Sequence, residues 1–234
     1  MENIYNVATG VFPGFNDKHG IMICGYEWGG DDEITENVTT ADPSQVTNLG
    51  VIFSNKAPFY GSVAESWPYD KKIRDWFRIW GHELQRDGNG GDFEKCLLQT
   101  NWCDTQAPNM TNINYQKKLL DPVQISNFIE HVKHFEPRVL MFFGSRMGRL
   151  LNAKEVIDKF QEIVGKEIET FRYEKYPFSG RRFNVGFQAF ERCNVIALPH
   201  PSGSHGLSPE YIKLFTPKIG SILSDFKKSR GFQK

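Results

Sequence analysis

Three polar segments in this sequence stand directly after short apolar runs, and each carries side chains suited to chemistry. GYEWGGDDE (Gly25–Glu33) follows Ile21–Cys24, TNWCDT (Thr100–Thr105) follows Lys95–Gln99, and PHPSGSHGL (Pro199–Leu207) follows Asn194–Leu198. Carboxylates at Glu27, Asp31 and Asp32 can orient or deprotonate water. The His200 ring can give or take a proton near neutral pH, and the Asn101 amide offers a donor beside an acceptor. Ser202, Ser204 and His205 suggest a nucleophilic cluster, but no GxSxG elbow accompanies them. Neither GxGxxG nor GxxxxGK[ST] occurs, which leaves dinucleotide and P-loop chemistry without support. The cysteines at 24, 96, 103 and 193 lie far apart with no CxxC pair, so the spacing gives no disulfide framework, zinc site or iron–sulfur site. They read as buried thiols, and neither a metal nor a cofactor is expected.

The elements that must position these groups follow from periodicity. IMIC (Ile21–Cys24), VIF (Val51–Phe53), KCLLQ (Lys95–Gln99), RVLMFF (Arg138–Phe143) and NVIAL (Asn194–Leu198) read as strands. Between them, Ile73, Trp76, Phe77, Trp80 and Leu84 recur at helical spacing and stop before Gly88, and Asp121-Pro122 starts a helix through Ile125, Phe128, Ile129, Val132 and Phe135. Further helices are predicted over Lys154–Val164 and Pro209–Lys228, the latter kinked or broken at Pro217. Phe171–Phe187 reads as a hairpin or irregular ribbon. Strands alternating with helices predict an α/β fold, a three-layer α/β/α arrangement around a mainly parallel sheet. In such sheets ligands bind beyond the carboxyl ends of the strands, so the carboxylates, the amide and the histidine are expected at one rim.

Composition sets the class. The 234 residues are 39% hydrophobic and 14% aromatic, which excludes a disordered or fibrous chain. With no repeat, low-complexity tract or linker, one domain over residues 1–234 is the simplest count. No apolar run is long enough to cross a bilayer and no export signal opens the chain, so a cytoplasmic protein that avoids membranes is expected. Lys plus Arg and Asp plus Glu both number 28, and a formal charge of zero argues against binding nucleic acid through bulk electrostatics. The charge is uneven, however. Gly25 to Asp42 contains six acidic residues and no basic one, whereas Arg172, Lys175, Arg181, Arg182 and Arg192 cluster, as do Lys227, Lys228, Arg230 and Lys234.

The rim segments, taken in order, resemble the uracil-DNA glycosylase superfamily. Gly25-Tyr26-Glu27-Trp28-Gly29 is similar to its first motif, a glycine-led turn whose polar residue positions or activates water. Gly50-Val51-Ile52-Phe53-Ser54 is similar to the segment bearing the aromatic that stacks on an extruded base. Thr100-Asn101 resembles the site of the amide that reads the base edge, Val139–Gly144 the strand ending in glycine, and His200-Pro201-Ser202 the last motif. These landmarks span about three quarters of the chain. The resemblance implies a monofunctional DNA glycosylase of base excision repair, monomeric and cofactor-free, acting on DNA that carries a damaged base, uracil or hypoxanthine.

Cleaving an N-glycosidic bond builds positive charge on the sugar and negative charge on the departing base. By resemblance, Glu27 or Asp32 would stabilise the cation and orient water, and His200 would stabilise the anion. Tyr26, Trp28, Phe53 and Asn101 would hold the extruded base. Ser202, Ser204 and His205 would meet phosphate, Leu207 would enter the duplex, and Arg181 and Arg182 would supply a basic footprint. Three departures stand out. Trp28 occupies the usual proline position, Glu27 replaces a shorter Asp or Asn, and Gly203 replaces the proline that often follows His-Pro-Ser. An insertion over Glu33–Leu49 is also implied, and Asp31 competes with Asp32 and Glu27 for the water-positioning role. Two other functions fit the same residues: an N-glycosidase for free nucleosides or nucleotides, and a binding module of the same fold without turnover.

Overall fold

The computed structural model describes residues 18–27, 66–84, 93–105 and 114–232. Within them, apolar runs of about five residues form strands β1 (Ile21–Gly25), β2 (Leu97–Asn101), β3 (Val139–Phe143) and β6 (Asn194–Leu198). The longer β4 (Glu167–Glu174) and β5 (Val185–Phe190) precede β6 in the chain. The sheet order is β2-β1-β3-β6-β5-β4, with β2, β1, β3 and β6 parallel and β5 and β4 antiparallel. The fold is therefore α/β around a mixed, mostly parallel six-stranded sheet. The ribbon expected near Phe171–Phe187 is the β4–β5 pair, which widens the sheet on one side.

Seven helices occur among the described residues: α1 (Pro68–Ile79), α2 (Tyr115–Leu119), α3 (Pro122–Phe135), α4 (Met147–Leu150), α5 (Lys154–Val164), α6 (Pro209–Lys213) and α7 (Thr216–Ser229). Alternation along the strands sends side chains to both faces. Ile21, Ile23, Met141, Phe143, Ile196 and Leu198 pack with Ile73 and Phe77 of α1 and Ile219 and Leu223 of α7. On the opposite face Met22, Cys24, Leu140, Phe142 and Val195 pack with Phe128 and Val132 of α3 and Val156 and Phe160 of α5. Two buried faces explain why these strands read as continuous apolar runs rather than alternating ones. All four cysteines are buried and none forms a disulfide.

Two expectations shift. The strand expected at Lys95–Gln99 starts two residues later, because Glu94–Cys96 closes a 3-10 turn, and Asn101 is consequently its last residue. Helix α1 stops at Ile79 instead of reaching Leu84, since Gly81 takes a left-handed conformation (φ +82°) just beyond the cap. The carboxy-terminal helix is broken near Pro217 as expected, with Pro217 in the first turn of the second piece, where a missing N–H costs nothing. The start of α3 is as expected, with the Asp121 carboxylate accepting from Val123 N at 2.9 Å. The strand expected at Val51–Phe53 lies outside the described residues. No described helix is long and apolar enough to cross a membrane.

Candidate functional site

β1 and β2 lie in parallel register with Gly25 opposite Asn101, and pairing continues past both strands. Trp102 N donates to Gly25 O and Cys103 N to Tyr26 O, each at 2.8 Å, so the two exit loops run together. Helix α3 fixes the second loop. Asn127 Nδ2 donates to Trp102 O (2.8 Å), and Gln124 exchanges hydrogen bonds with Asp104, accepting from its N–H at 3.0 Å and donating to its carboxylate at 2.9 Å. Beneath them a buried hydrogen bond of 2.9 Å joins Thr100 Oγ1 and His131 Nδ1, bracing the end of β2 against α3.

Asn101 lies against Gly25. A methyl group on Gly25 would come within 2.4 Å of Asn101 Oδ1 and 3.3 Å of the Tyr69 hydroxyl, so only glycine leaves that amide where it is. Gly25→Ala is therefore expected to displace Asn101 and cost about 1–3 kcal/mol of stability, because overpacking forces neighbours off their rotamers. Denaturant titration together with the chemical shifts of the Asn101 side-chain amide checks both effects; an unmoved amide would refute the contact.

His200 follows β6 in a turn that fixes its chemistry. Its Nδ1 accepts from Gly203 N at 2.9 Å and lies 3.3 Å from Ser202 Oγ, so the neutral ring carries its proton on Nε2. Burial lowers the imidazole from its ordinary value to about 4, which keeps it uncharged at neutral pH. Gly203 has a physical reason here, since a methyl group on it would stand 3.1 Å from Nδ1. Aromatic rings flank the imidazole: Tyr26 nearly parallel at 6.3 Å and Tyr69, from the first turn of α1, at 5.4 Å. Tyr26 in turn lies 5.6 Å from Tyr115 of α2 and rests on Gly144, where any Cβ would be 2.3 Å from its ring. Burial pushes the Tyr26 hydroxyl up to about 12 against the opposing charge of Arg146.

Glu27 occupies the corner beyond Tyr26, with its side chain 1% exposed. One oxygen, Oε2, accepts from Lys118 Nζ of α2 and from Thr105 Oγ1 (2.8 Å), while the buried Oε1 has no hydrogen-bond partner among the described residues. Within those residues Glu27 is an ion-paired carboxylate with one acceptor oxygen unsatisfied.

Tyr26, Glu27, Asn101 and His200 come together at the carboxyl rim of the sheet. Trp28, Asp31, Asp32 and Phe53 lie outside the described residues. The loop after His200 is tied to the segment that precedes β5. Arg181 Nη1 donates to His205 O at 2.8 Å, and Arg182 donates to Phe178 O, so both guanidinium groups brace loops. Ser202 and His205 are exposed and Ser204 half-buried, whereas Leu207 packs against the hydrophobic core and donates its N–H to Ser204 O at 3.1 Å. Among the described residues no group of His, Cys, Asp and Glu is arranged to hold a metal ion.

Sequence reasoning missed Lys118, Tyr69, Tyr115 and Arg146. Arg146 had a usable signal, because Gly144-Ser145-Arg146 directly follows β3 at the same sheet end. Its loop is pinned by Tyr173, whose hydroxyl donates to Ser145 O at 2.9 Å. Lys118 and Tyr69 had none, since each reaches the rim from a helix distant in sequence. No family model matches the chain, and no curated protein matches it.

Proposed function

We propose that the protein is a DNA glycosylase that hydrolyses the N-glycosidic bond of a damaged base. The observation that carries this reading is His200: a histidine held neutral, its Nδ1 occupied by a backbone N–H and its Nε2 proton left for a ligand, between two tyrosine rings at the rim. When the C1′–N bond breaks, its electron pair goes to the base, and a preorganised neutral donor stabilises that negative charge without a proton transfer. The deoxyribosyl cation is captured by water at C1′. Glu27 Oε1 accepts a hydrogen bond from that water, and the carboxylate opposes the developing positive charge. Asn101, beside Gly25, offers both hydrogen-bonding senses to the edge of an extruded base, and Tyr26 offers a flat apolar wall. The exposed Arg146 at the same rim supplies positive charge for a flanking phosphate.

The test is base release from oligonucleotides carrying uracil, hypoxanthine, xanthine or a thymine mismatch, in single and double strands, beside the corresponding free nucleosides. Release from at least one DNA substrate, weakening as salt rises, is the expected result. Release from nucleosides alone, or no release at enzyme excess, would overturn the DNA glycosylase reading.

A further inference from the structure

The geometry points to Lys118 as a positioning residue that, with Thr105, clamps one oxygen of Glu27 so that the other is aimed at the attacking water. This inference rests on the glycosylase reading and names a residue that no rim motif contains. A carboxylate on a short loop can rotate and exchange its two oxygens. Here rotation is blocked on one side only, because Oε2 accepts from both Lys118 Nζ and Thr105 Oγ1. Among the described residues nothing donates to the buried Oε1, and an unsatisfied acceptor in that setting costs free energy until something does. A water that donates to Oε1 satisfies it and is the molecule the hydrolysis requires.

The clamp is built from separate parts of the chain. Lys118 is 91 residues from Glu27, on α2, whose first turn is capped by Asn114 accepting from Lys117 N at 3.2 Å. Thr105 follows Trp102 and Asp104, which Asn127 and Gln124 tie to α3. Among the described residues the other titratable groups facing Glu27 are Cys103 and Tyr115. Burial pushes the Cys103 thiol up to about 12 and raises the Tyr115 phenol, so both stay neutral, and Lys118 is the described cation that touches the carboxylate. In the reaction Lys118 forms no bond with substrate. Water gives its oxygen to C1′, the base leaves with the electron pair, and the proton passes from the water toward Glu27.

The experiment compares wild type with Lys118→Met, Lys118→Arg, Thr105→Val and Glu27→Gln by base release, with rates normalised to folded enzyme, well below each variant's melting temperature. Lys118→Met is expected to lower kcat about a hundredfold with KM little changed, as a misplacement of about 1 Å does. Lys118→Arg should restore kcat, and Thr105→Val, which removes no charge, should lower it in the same direction as Lys118→Met. A merely structural lysine would reduce the amount of folded enzyme and leave the normalised kcat unchanged. Wild-type kcat in Lys118→Met, with Glu27→Gln inactive, would overturn the positioning role and leave the glycosylase standing. A borohydride-trapped covalent adduct between DNA and Lys118 would overturn it by making the amine a nucleophile. An inactive wild type would sink the glycosylase reading and this inference together.

Discussion

For the proposed glycosylase reaction, replacing His200 with alanine is expected to lower the rate of base release by about 10²–10³-fold, the usual loss when one preorganised donor to a developing anion is removed. The loss is expected on kcat, because in that reaction the Nε2 proton meets most of its charge in the transition state. The wild-type rate should show no break near pH 6.5, where an ordinary imidazole titrates. With the ring at about 4, the form that donates from Nε2 without carrying charge persists through the physiological range. A pH–rate profile with an inflection near 6.5 that disappears in His200→Ala would contradict this assignment.

The same burial has a consequence for folding, with a definite sign. The unfolded chain takes up a proton at His200 near pH 6.5, whereas the folded chain refuses it until about 4. Between those values the unfolded state binds more protons, so this group's contribution to stability is complete above about 6.5. It is lost as pH falls toward 4 and is constant below that. His82, also lowered by burial and sharing a 3.2 Å hydrogen bond with Gly220 O, acts in the same direction. Denaturation of wild type and His200→Ala at pH 7 and pH 4.5 isolates the first, since the variant loses the His200 part of the slope and keeps that of the other groups, His82 and the lowered Glu136 and Glu174 carboxyls among them.

The second large effect is on stability. Phe128 of α3 is fully buried, stacked on Trp102 with ring centroids 4.2 Å apart and planes within 4°, and in contact with Phe142 and Phe160. Phe128→Ala is expected to destabilise the fold by about 3–5 kcal/mol, because it removes buried aromatic area and leaves a cavity that rigid neighbouring rings do not fill. Trp102 also donates Nε1–H to Leu119 O at 2.9 Å, so the stack ties the loop after β2 to the end of α2. Denaturant unfolding with unchanged m-value reads the loss, and a change below about 1 kcal/mol would show that the site collapses around the gap.

The fold was legible where one physical cause acted alone. Strands buried on both faces announce themselves as apolar runs, which is why β1 and β6 fall where the sequence places them to within a residue. Pro217 marks a helix boundary by its missing N–H. The start of β2 was misread because Cys96, inside a 3-10 turn, extends the apolar run of Leu97 and Leu98, and hydrophobicity does not distinguish that turn from a strand. At the rim, Tyr26, Glu27, Asn101 and His200 were readable because each stands at a strand end or within two residues of one. Lys118 was not, since its role depends on where α2 docks, and docking is decided by contacts such as Trp102 on Leu119 rather than by any pattern near residue 118. The bracing duty of Arg181 was equally invisible, because the carbonyl it grips belongs to His205 on a different loop.

The contact between Tyr26 and Gly144 bears on how this rim can change its shape. The two residues follow neighbouring strands and divide one volume between a ring and a bare backbone, so gain at one position must be matched by loss at the other. A mutational library that varies either position singly samples mostly collisions or voids. Varying both together trades bulk across the rim while the strands beneath stay in register.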